Sequence, residues 1–487
     1  MMSYYKLHTR CDFNASALLV NVEVHIREGN HQCTMIGLPE SHVKESIDRV
    51  KSAIIDSGYE IPQGHITINL TPASVPKKGS QFDLPIALAI LLASKQIACN
   101  LEGTFEVYGE LSLDGSIRGN KEFLPLFFRA YKEQKIIIAP KNLEENLQFF
   151  EGSEIYTFKN LKSVINFINK PNQNTALTTK KVANDGQKII EFEGIVGQIL
   201  TKRALSIAAA GGHHVILIGP PGSGKSLLAH AMHDIMPRLS HEQALEAMCF
   251  SGLDISTTPN FRAPHHGITS AGLLGGGLPI KIGEITRAHN GLLFTDELTE
   301  YSRTTIEMMR EPVEQGIISI ARYGTLSRLP CNFQWIAALN PCPCGMFGHP
   351  NEVCRCHPSK RQHYINKLSN PLIDRFAIGC KVDPTPQQTE NMHFSKQEID
   401  KAAAIQYARY GCLNQRLNPT QTYELKMSND ARHYFNFRTK SMSERQKQQC
   451  LKVSKTIADL KAHKIICEED LIEATLFNSR EVISGFF

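Results

Sequence analysis

Residues 219–226 of this 487-residue chain are of types that could bind the phosphates of a nucleotide. They read Gly-Pro-Pro-Gly-Ser-Gly-Lys-Ser, which fits the pattern G-x-x-x-x-G-K-[ST]. In such a loop the glycines let backbone N–H groups curl around phosphates, the lysine reaches the β- and γ-phosphates, and the hydroxyl ligates Mg²⁺. An apolar strand pattern precedes the loop and a helical pattern follows it, which disfavours a chance glycine-rich turn. The predicted cofactor-binding residues of the loop are Gly219, Pro220, Pro221, Gly222, Ser223, Gly224, Lys225 and Ser226.

Polar residues also end two further apolar stretches. Asp296 and Glu297 follow "GLLFT", and in a P-loop nucleotidase they would hold Mg²⁺ and polarise the attacking water, respectively. Acid pairs also cap helices, so this assignment depends on the phosphate loop upstream. Asn340 follows "FQWIAAL", where its amide could orient the water. Together these polar tips predict a parallel α/β core with its ligands at the carboxyl ends of the strands.

Four of the 13 cysteines lie within residues 342–356, in the spacing C-x-C-x₉-C-x-C. In a reducing compartment such a cluster indicates metal rather than disulfides, and four thiolates complete a tetrahedral structural Zn²⁺ site. His349 and His357 are alternative ligands, and four reduced thiols lining a loop are the other interpretation. The predicted zinc ligands are Cys342, Cys344, Cys354 and Cys356.

Changes of composition divide the chain into three predicted domains, 1–168, 188–384 and 385–487. Residues 169–187 are polar and aperiodic, as in a linker, and a strand pattern gives way to helical patterning close to the last boundary. No window approaches ~18 uninterrupted apolar residues, so we expect no membrane span. The N-terminus lacks a signal-peptide layout, so we expect a cytoplasmic location.

The net charge of +5 comes from the C-terminal part of the chain. Residues 358–487 hold 20 Lys and Arg against 14 Asp and Glu. A mildly basic region could face a polyanion such as DNA, although a solvated helical surface is the simpler explanation of the charge alone.

Several long stretches in a fixed order carry a family resemblance. They are "GQILTKRALSIAAAGGHHVILIGPPGSGKS", "FRAPHHGITSAGLLGGG", "GEITRAHNGLLFTDELTEYSRTTIEMMREPVE", "AALNPCPCG" and "PLIDRF". The chain resembles the AAA+ ATPases of the magnesium-chelatase-like group, and within that group the ComM (YifB) family, over nearly its whole length. The resemblance implies an α/β fold in three parts: a Lon-protease-like α/β N-terminal domain, an AAA+ P-loop parallel α/β core and a helical C-terminal lid.

The resemblance also implies a homo-hexameric ring that binds ATP and Mg²⁺ between subunits. Asn340 falls on the sensor-1 position, and Arg375 falls on the arginine-finger position that completes a neighbour's site. The alternative for Arg375 is a salt bridge to Asp374. Arg445 falls on the sensor-2 position, in a run richer in Lys and Gln than the family's. The predicted catalytic residues are Lys225, Glu297, Asn340, Arg375 and Arg445.

Residues 316–330, "GIISIARYGTLSRLP", alternate as a β-hairpin would. The resemblance places this hairpin at the pore of the ring, where Arg322, Tyr323 and Arg328 would contact DNA. An ordinary surface hairpin is the alternative. His265 and His266, upstream, are interpreted as loop structure because adjacent side chains diverge and do not share one metal.

The N-terminal part resembles Lon-type proteases without their catalytic residues. The position of the protease serine falls on Gln81, and that of its lysine falls near Leu124. Ser80 and Lys121 stand one and three places away, and a one-residue shift turns a strand side chain to the other face. We therefore expect a protease-like fold without protease chemistry, with Ser80 and Lys121 as the remaining alternative dyad.

Two classes of function remain open. The first is a ring helicase that drives branch migration during recombination of incoming DNA in natural transformation, with recombination proteins as partners. The second is a protein-remodelling ATPase, either a magnesium-chelatase-type subunit or an ATP-dependent protease. The basic C-terminal part and the arginine-bearing hairpin favour DNA, whereas the protease-like N-terminal domain favours a protein substrate.

Overall fold

The computed structural model of the protein describes residues 3–13, 16–30, 32–99, 105–182, 191–277, 281–322, 325–384 and 393–485. The chain divides into two compact units. The first unit contains residues 1–183, 241–255 and 319–329, and the second contains residues 184–240, 256–318 and 330–487. Two segments inside the range predicted for the ATPase core therefore belong to the first unit.

The first unit is built on a mixed seven-stranded sheet in the order β3-β4-β2-β1-β5-β8-β9. Long antiparallel pairing of β1 with β2 forms its centre, and β5, β8 and β9 continue the sheet in parallel. The strands up to residue 182 are β1 Ser3–Phe13, β2 Ser16–Arg27, β3 Gln32–Ile36, β4 His65–Thr71, β5 Phe105–Val107, β6 Glu110–Leu111, β7 Ile117–Arg118, β8 Ile136–Pro140 and β9 Ile155–Phe158. The helices are α1 Ser41–Asp56, α2 Asp83–Ala93, α3 Leu124–Lys132, α4 Glu144–Leu147 and α5 Leu161–Asn169.

The core of this unit follows from the periodicity of its elements. In β4, Ile66, Ile68 and Leu70 alternate with partly exposed polar residues, so one face of the sheet is apolar. Helix α2 is apolar on all sides and every one of its residues is buried, which is typical of a helix inside a core.

The rest of the chain supplies the following elements. The strands are β10 Val215–Ile218, β11 Phe261–Arg262, β12 Gly275–Gly276, β13 Lys281–Ile282, β14 Leu292–Thr295, β15 Ile317–Arg322, β16 Thr325–Pro330, β17 Gln334–Leu339 and β18 Ile378–Lys381. The helices up to β18 are α6 Ile199–Gly211, α7 Lys225–Ile235, α8 His241–Ser251, α9 Ser270–Leu274, α10 Glu284–Arg287, α11 Arg303–Met308, α12 Arg310–Gln315, α13 Pro358–Ile365 and α14 Asn370–Ile373. The helices after β18 are α15 Lys396–Tyr410, α16 Pro419–Tyr423, α17 Asn429–Arg438, α18 Glu444–Leu460, α19 Glu468–Leu476 and α20 Ser479–Ser484.

Helix α8 lies within the ATPase range of the sequence but packs in the first unit. Leu245, Met248 and Cys249 join an aromatic cluster that includes Phe127. The Cys249 thiol donates to the carbonyl oxygen of Leu124 at 3.6 Å. The paired strands β15 and β16 confirm the predicted hairpin, and most of it belongs to the first unit.

The second unit contains a parallel five-stranded sheet in the order β11-β14-β17-β10-β18. Strands β10, β14 and β17 are buried along their whole length, because helices cover both faces of such a sheet and no polar alternation is needed. Ile218 at the end of β10 lies opposite Leu339 at the end of β17. The carboxyl ends of the strands therefore meet at one edge, as the α/β prediction requires.

Helices α15 to α20 follow this sheet, and α15 and α18 pack on α6. His213, just before β10, fixes the contact: its Nδ1 lies 2.9 Å from Gln415 Oε1, and its Nε2 lies 2.8 Å from Thr456 Oγ1. Burial lowers the pKa of His213 to about 4. Among the described residues, no helix is both long and apolar enough to cross a bilayer.

Candidate functional site

The phosphate-loop motif connects β10 to α7, as the sequence predicted. Gly222 and Gly224 have φ angles of +76° and +86°, a region that glycine enters without steric cost. The Lys225 ammonium donates to the carbonyl oxygens of Gly219 at 2.7 Å and Pro220 at 2.9 Å. Burial lowers the pKa of Lys225, while the charges of nearby acids oppose that shift.

The same ammonium donates to the side-chain oxygen of Asn340 at 3.1 Å. Asn340 follows β17, the strand next to β10, so the sheet brings the two residues together. The predicted phosphate-binding lysine and the predicted sensor amide thus share one hydrogen bond.

The serine and the first acid also meet. Ser226 Oγ donates to Asp296 Oδ2 at 3.3 Å, and the backbone N–H of Glu297 donates to Asp296 Oδ1 at 2.9 Å. A hydroxyl and a carboxylate at this separation are oxygen donors of the kind that Mg²⁺ prefers. The hydroxyl of Ser223 is buried and, among the described residues, has no hydrogen-bond partner. These features fit a bound nucleotide and Mg²⁺.

Glu297 lies just beyond this pair with its side chain 46% exposed, open to solvent water. Its backbone is left-handed, with φ +50° and ψ +49°, a strained conformation for a residue with a Cβ. Such strain is common at functional sites, where the surrounding fold holds the residue in place.

A histidine that the sequence analysis assigned to loop structure joins the site. The Nδ1 atom of His266 lies 3.4 Å from Glu297 Oε2. The loop that carries His266 is held by Tyr301, whose hydroxyl donates to the Pro264 carbonyl oxygen at 2.7 Å. His266, Glu297 and Asn340 line one cavity of 590 Å³, which also receives Lys360 of α13. The only feature of the sequence that could have pointed to His266 as a site residue was the pair of adjacent histidines shortly after β11.

Arg375 is buried, only 7% exposed, and all its nitrogens contact groups of its own chain. Its Nη2 atom lies 2.6 Å from Glu314 Oε2. The alternative prediction of a salt bridge to Asp374 is wrong, because Asp374 pairs with Arg480 at 2.6 and 2.9 Å. Arg445 contacts the other oxygen of Glu314, so the two predicted phosphate-sensing arginines share one carboxylate.

The four cysteines after β17 form one cluster. Cys342 Sγ lies 3.4 Å from Cys344 Sγ and 3.6 Å from Cys354 Sγ, and the last two sulfurs are 3.6 Å apart. The sulfur of Cys356 completes the set, and all four sulfurs lie within 4.8 Å of one another. A tetrahedron with Zn–S bonds of ~2.3 Å has edges of about 3.8 Å. The cluster is therefore compatible with Zn²⁺.

The thiols of this cluster have pKa values shifted in opposite directions, and burial raises the pKa of Cys342 to about 12. A hydrogen bond from the backbone N–H of Met346 lowers the pKa of Cys344 to about 6, which favours the thiolate. The cysteine loop also touches the phosphate loop: Gly345 has φ +79°, and a Cβ built on it would lie 2.5 Å from Pro221 Cδ.

A second group of ligand-type side chains, His463, Cys467 and Asp470, has a structural explanation. The Cys467 N–H donates to Asp470 Oδ2 at 2.9 Å and caps α19. The Lys461 ammonium lies 3.3 Å from Asp470 Oδ1, where a second cation would be repelled.

Two further predictions concern the DNA-binding residues of the hairpin and the alternative dyad of Ser80 and Lys121. Arg328 is exposed on β16, whereas the side chain of Arg322 and all of Tyr323 lie outside the described residues. In the first unit Lys121 donates to Asp254 at 2.7 Å, and within the described part no hydrogen bond joins it to Ser80.

Gln81, at the position of the protease serine, is buried in the first unit. Its Nε2 donates to the carbonyl oxygens of Arg10 at 3.2 Å and Lys78 at 3.0 Å. Both of these bonds are structural, and an amide in this place supplies no nucleophile.

Comparison with known proteins places these features in a family. The family model described as "Magnesium chelatase, subunit ChlI" matches residues 191–390, and models for subunit ChlI of Mg-chelatase and for its C-terminal part match residues 22–142 and 389–478. The uncharacterized protein YifB of Escherichia coli is 36% identical over 499 residues, which cover 98% of this chain and 97% of that protein. The competence protein ComM of Haemophilus influenzae is 34% identical over 496 residues, 97% of each chain. The magnesium-chelatase 67 kDa subunit of Chlorobaculum parvum is 29% identical over 162 residues, 31% of this chain and 24% of that protein.

Proposed function

This chain belongs to the YifB and ComM family of magnesium-chelatase-like AAA+ proteins, and on that premise we propose that it is an ATP-driven motor that acts on DNA. The observation that carries the proposal is the meeting of Lys225, Asn340 and the Ser226–Asp296 pair at one sheet edge. In this arrangement Lys225 binds the β- and γ-phosphates, and Ser226 with Asp296 holds Mg²⁺. Glu297 polarises the water that attacks the γ-phosphorus, and Asn340 orients that water.

The proposal includes a homo-hexameric ring, as the family resemblance implies. Arg375 and Arg445 would then stabilise charge on the γ-phosphoryl group of a neighbouring subunit's ATP. Their position beside each other on Glu314 supports a joint role. Residues 385–487 would act as the helical lid. The cysteine loop, which directly follows Asn340, would bind a structural Zn²⁺ and so hold Asn340 in position.

The first unit would be a Lon-protease-like domain without protease activity. The burial of the Gln81 amide where the serine would stand supports this, as does the engagement of Lys121 with Asp254. The proposed substrate is therefore not a peptide bond.

DNA is the proposed substrate because the relative ComM is named for competence and because the hairpin presents Arg328 to solvent. Arg328, together with Arg322 and Tyr323, would contact the phosphates and stack on the bases of DNA. The affinity for DNA would then be independent of sequence and sensitive to salt. The proposed activity is branch migration by a helicase in the recombination of incoming DNA during natural transformation, in the cytoplasm.

The test is the ATPase rate of the purified protein with and without DNA. We expect single-stranded or branched DNA to raise the rate, and a four-way junction to be resolved into its arms only with hydrolysable ATP. Arg328→Glu should remove most of the stimulation and leave basal ATP binding unchanged, whereas Arg118→Glu, an exposed arginine elsewhere in the first unit, should not. If an unfolded protein raises the rate and DNA of every form does not, the motor remodels proteins.

A further inference from the structure

Helix α12 places one carboxylate, that of Glu314, between the two arginines that are proposed to act on a neighbour's ATP. Arg375 Nη2 lies 2.6 Å from Glu314 Oε2, and Arg445 Nη2 contacts Oε1. Each carboxylate oxygen is therefore used by a different guanidinium group. In the described part of the chain, neither arginine has an ion pair with any other acid.

The present position of Arg375 does not suit a direct contact with another subunit. Its Nε donates to the Arg310 carbonyl oxygen at 3.0 Å, and its Nη1 donates to the Pro371 carbonyl oxygen. Because Nη2 is bonded to Glu314, none of the three nitrogens is available to a phosphate. Only the bond to Glu314 involves a charged partner, so it is the one that an anion can replace by like-for-like exchange.

Arg445 differs in that it is 35% exposed and comes from a different segment, helix α18. Glu314 is itself 48% exposed and thus reachable from outside the subunit. The surroundings carry further positive charge: Arg310 lies on the same helix as Glu314, and the pKa of buried Lys452 is lowered to about 8 by burial and then by the charge of Arg416. Arg310 has its own acidic partner, Glu307, at 3.1 Å. Without Glu314, Arg375 and Arg445 would therefore lose the one acid that pairs with them in the described part of the chain.

We propose that Glu314 is an exchangeable counter-ion that holds Arg375 and Arg445 until the terminal phosphate of a neighbour's ATP takes its place. This inference rests on the proposed function. A terminal phosphate offers three oxygens and more charge than one carboxylate, so it can bind both guanidinium groups at once. ADP lacks that group and leaves the arginines on Glu314. The exchange therefore makes the pair respond to ATP and not to ADP.

The test compares steady-state ATPase kinetics of the full-length wild type with those of Glu314→Gln, which keeps the shape and removes the charge. Because a competing ion pair is lost, we expect KM for ATP to fall about fivefold and the DNA-free rate at low ATP to rise by a similar factor. Glu311→Gln is the matched control, since Glu311 is exposed on the same helix and, among the described residues, pairs with no arginine. Thermal unfolding and gel filtration check that each variant folds and assembles.

Two outcomes overturn the inference. An unchanged KM means that Glu314 does not compete with phosphate, and a lower kcat in a folded, assembled ring means that it supports the arginines instead. If Glu314→Gln does not fold, Glu314→Asp replaces it: its carboxylate is one methylene shorter and cannot meet both guanidinium groups, so KM should again fall. The proposed function fails separately, if the wild type hydrolyses no ATP or if Arg375→Ala keeps the full rate.

Discussion

The ammonium group of Lys225 lies 3.1 Å from the side-chain oxygen of Asn340, 115 positions away in the chain. Parallel pairing of β10 with β17 creates this contact, since each residue lies beyond the carboxyl end of its strand. A phosphate that reaches Lys225 competes with Asn340 for the ammonium. Binding of the nucleotide would thus free the Asn340 amide for its proposed role of orienting water. Phosphate binding by Lys225 and release of Asn340 would then be a single event.

Lys225→Ala and Glu297→Gln should both abolish ATP hydrolysis but should differ in nucleotide binding. The first removes the cation that contacts the phosphates, so Kd for ATP should rise tenfold or more. The second leaves Ser226 and Asp296 in place, so ATP should bind with nearly unchanged affinity and remain uncleaved. Turnover and the Kd of a fluorescent ATP analogue are the measurements, and wild-type turnover by either variant would show that the site is misassigned.

Arg375→Ala should bind ATP without hydrolysing it, because the cation that we propose to act on a neighbour's phosphate is missing. Mixed rings with Lys225→Ala subunits should regain part of the activity, since some interfaces then combine an intact phosphate loop with an intact arginine. The measurement is the ATPase rate against mixing ratio, with co-assembly verified by native mass spectrometry. Co-assembled rings without any rescue would indicate that Arg375 only stabilises its own subunit through Glu314.

The purified protein should contain about one zinc per chain when no chelator is used. Replacement of Cys342 and Cys344 together by serine should remove the metal and lower the ATPase rate, because Gly345 of the same loop packs on Pro221. Cys33→Ser, in the first unit and outside the cluster, should retain both. Elemental analysis and ATPase assays are the measurements, and metal-free but fully active wild-type protein would refute the site.

Stability of the second unit should fall as the pH drops from about 6.5 toward 4, because His213 is buried in its neutral form. Its folded-state pKa of about 4 lies below the ordinary value of 6.5, so the unfolded chain takes up the proton first. The contribution to the free energy of unfolding is complete above pH 6.5 and is lost below it, by about 3 kcal/mol at the acid end. Burial also lowers the pKa of His214, which acts in the same direction.

Urea unfolding of wild type and His213→Gln at pH 7.5 and pH 5 measures this effect. The variant, which cannot be protonated at this position, should lose less stability between the two pH values. His433→Gln, at an exposed position, is the control and should behave as the wild type does. Equal pH dependence of all three proteins would show that His213 does not contribute.

The sequence predicted those parts of the fold and site that follow from local residue patterns or from the geometry of a parallel sheet. The phosphate loop and the cysteine cluster are local patterns, and parallel strands bring Asp296 and Asn340 to the loop because all the strand ends lie at one edge. The sharing of Glu314 by Arg375 and Arg445 was not predictable in this way. It joins helices α12 and α18 to the turn after α14, and no spacing along the chain encodes it.

The same limit applies to His266 and to α8. His266 reaches Glu297 only because the loop after β11 returns to the end of β14, and a doubled histidine does not specify that path. The apolar residues of α8 indicate burial but do not indicate which core they enter. Leu245 packs in the first unit although its neighbours in sequence form the second.

The contact of Gly345 with Pro221 restricts how this chain can vary over evolutionary time. Position 345 must be glycine for two independent reasons, a left-handed backbone and a Cβ that would strike the phosphate loop. Farther along the same loop the side chains point outward: Val353 is 86% exposed, and a Cβ on Gly348 would meet no atom within 4 Å. Gly348 also has a left-handed backbone, with φ +77°, so substitutions and length changes should accumulate between His349 and Val353 in related chains, while the beginning of the loop stays fixed in sequence and length.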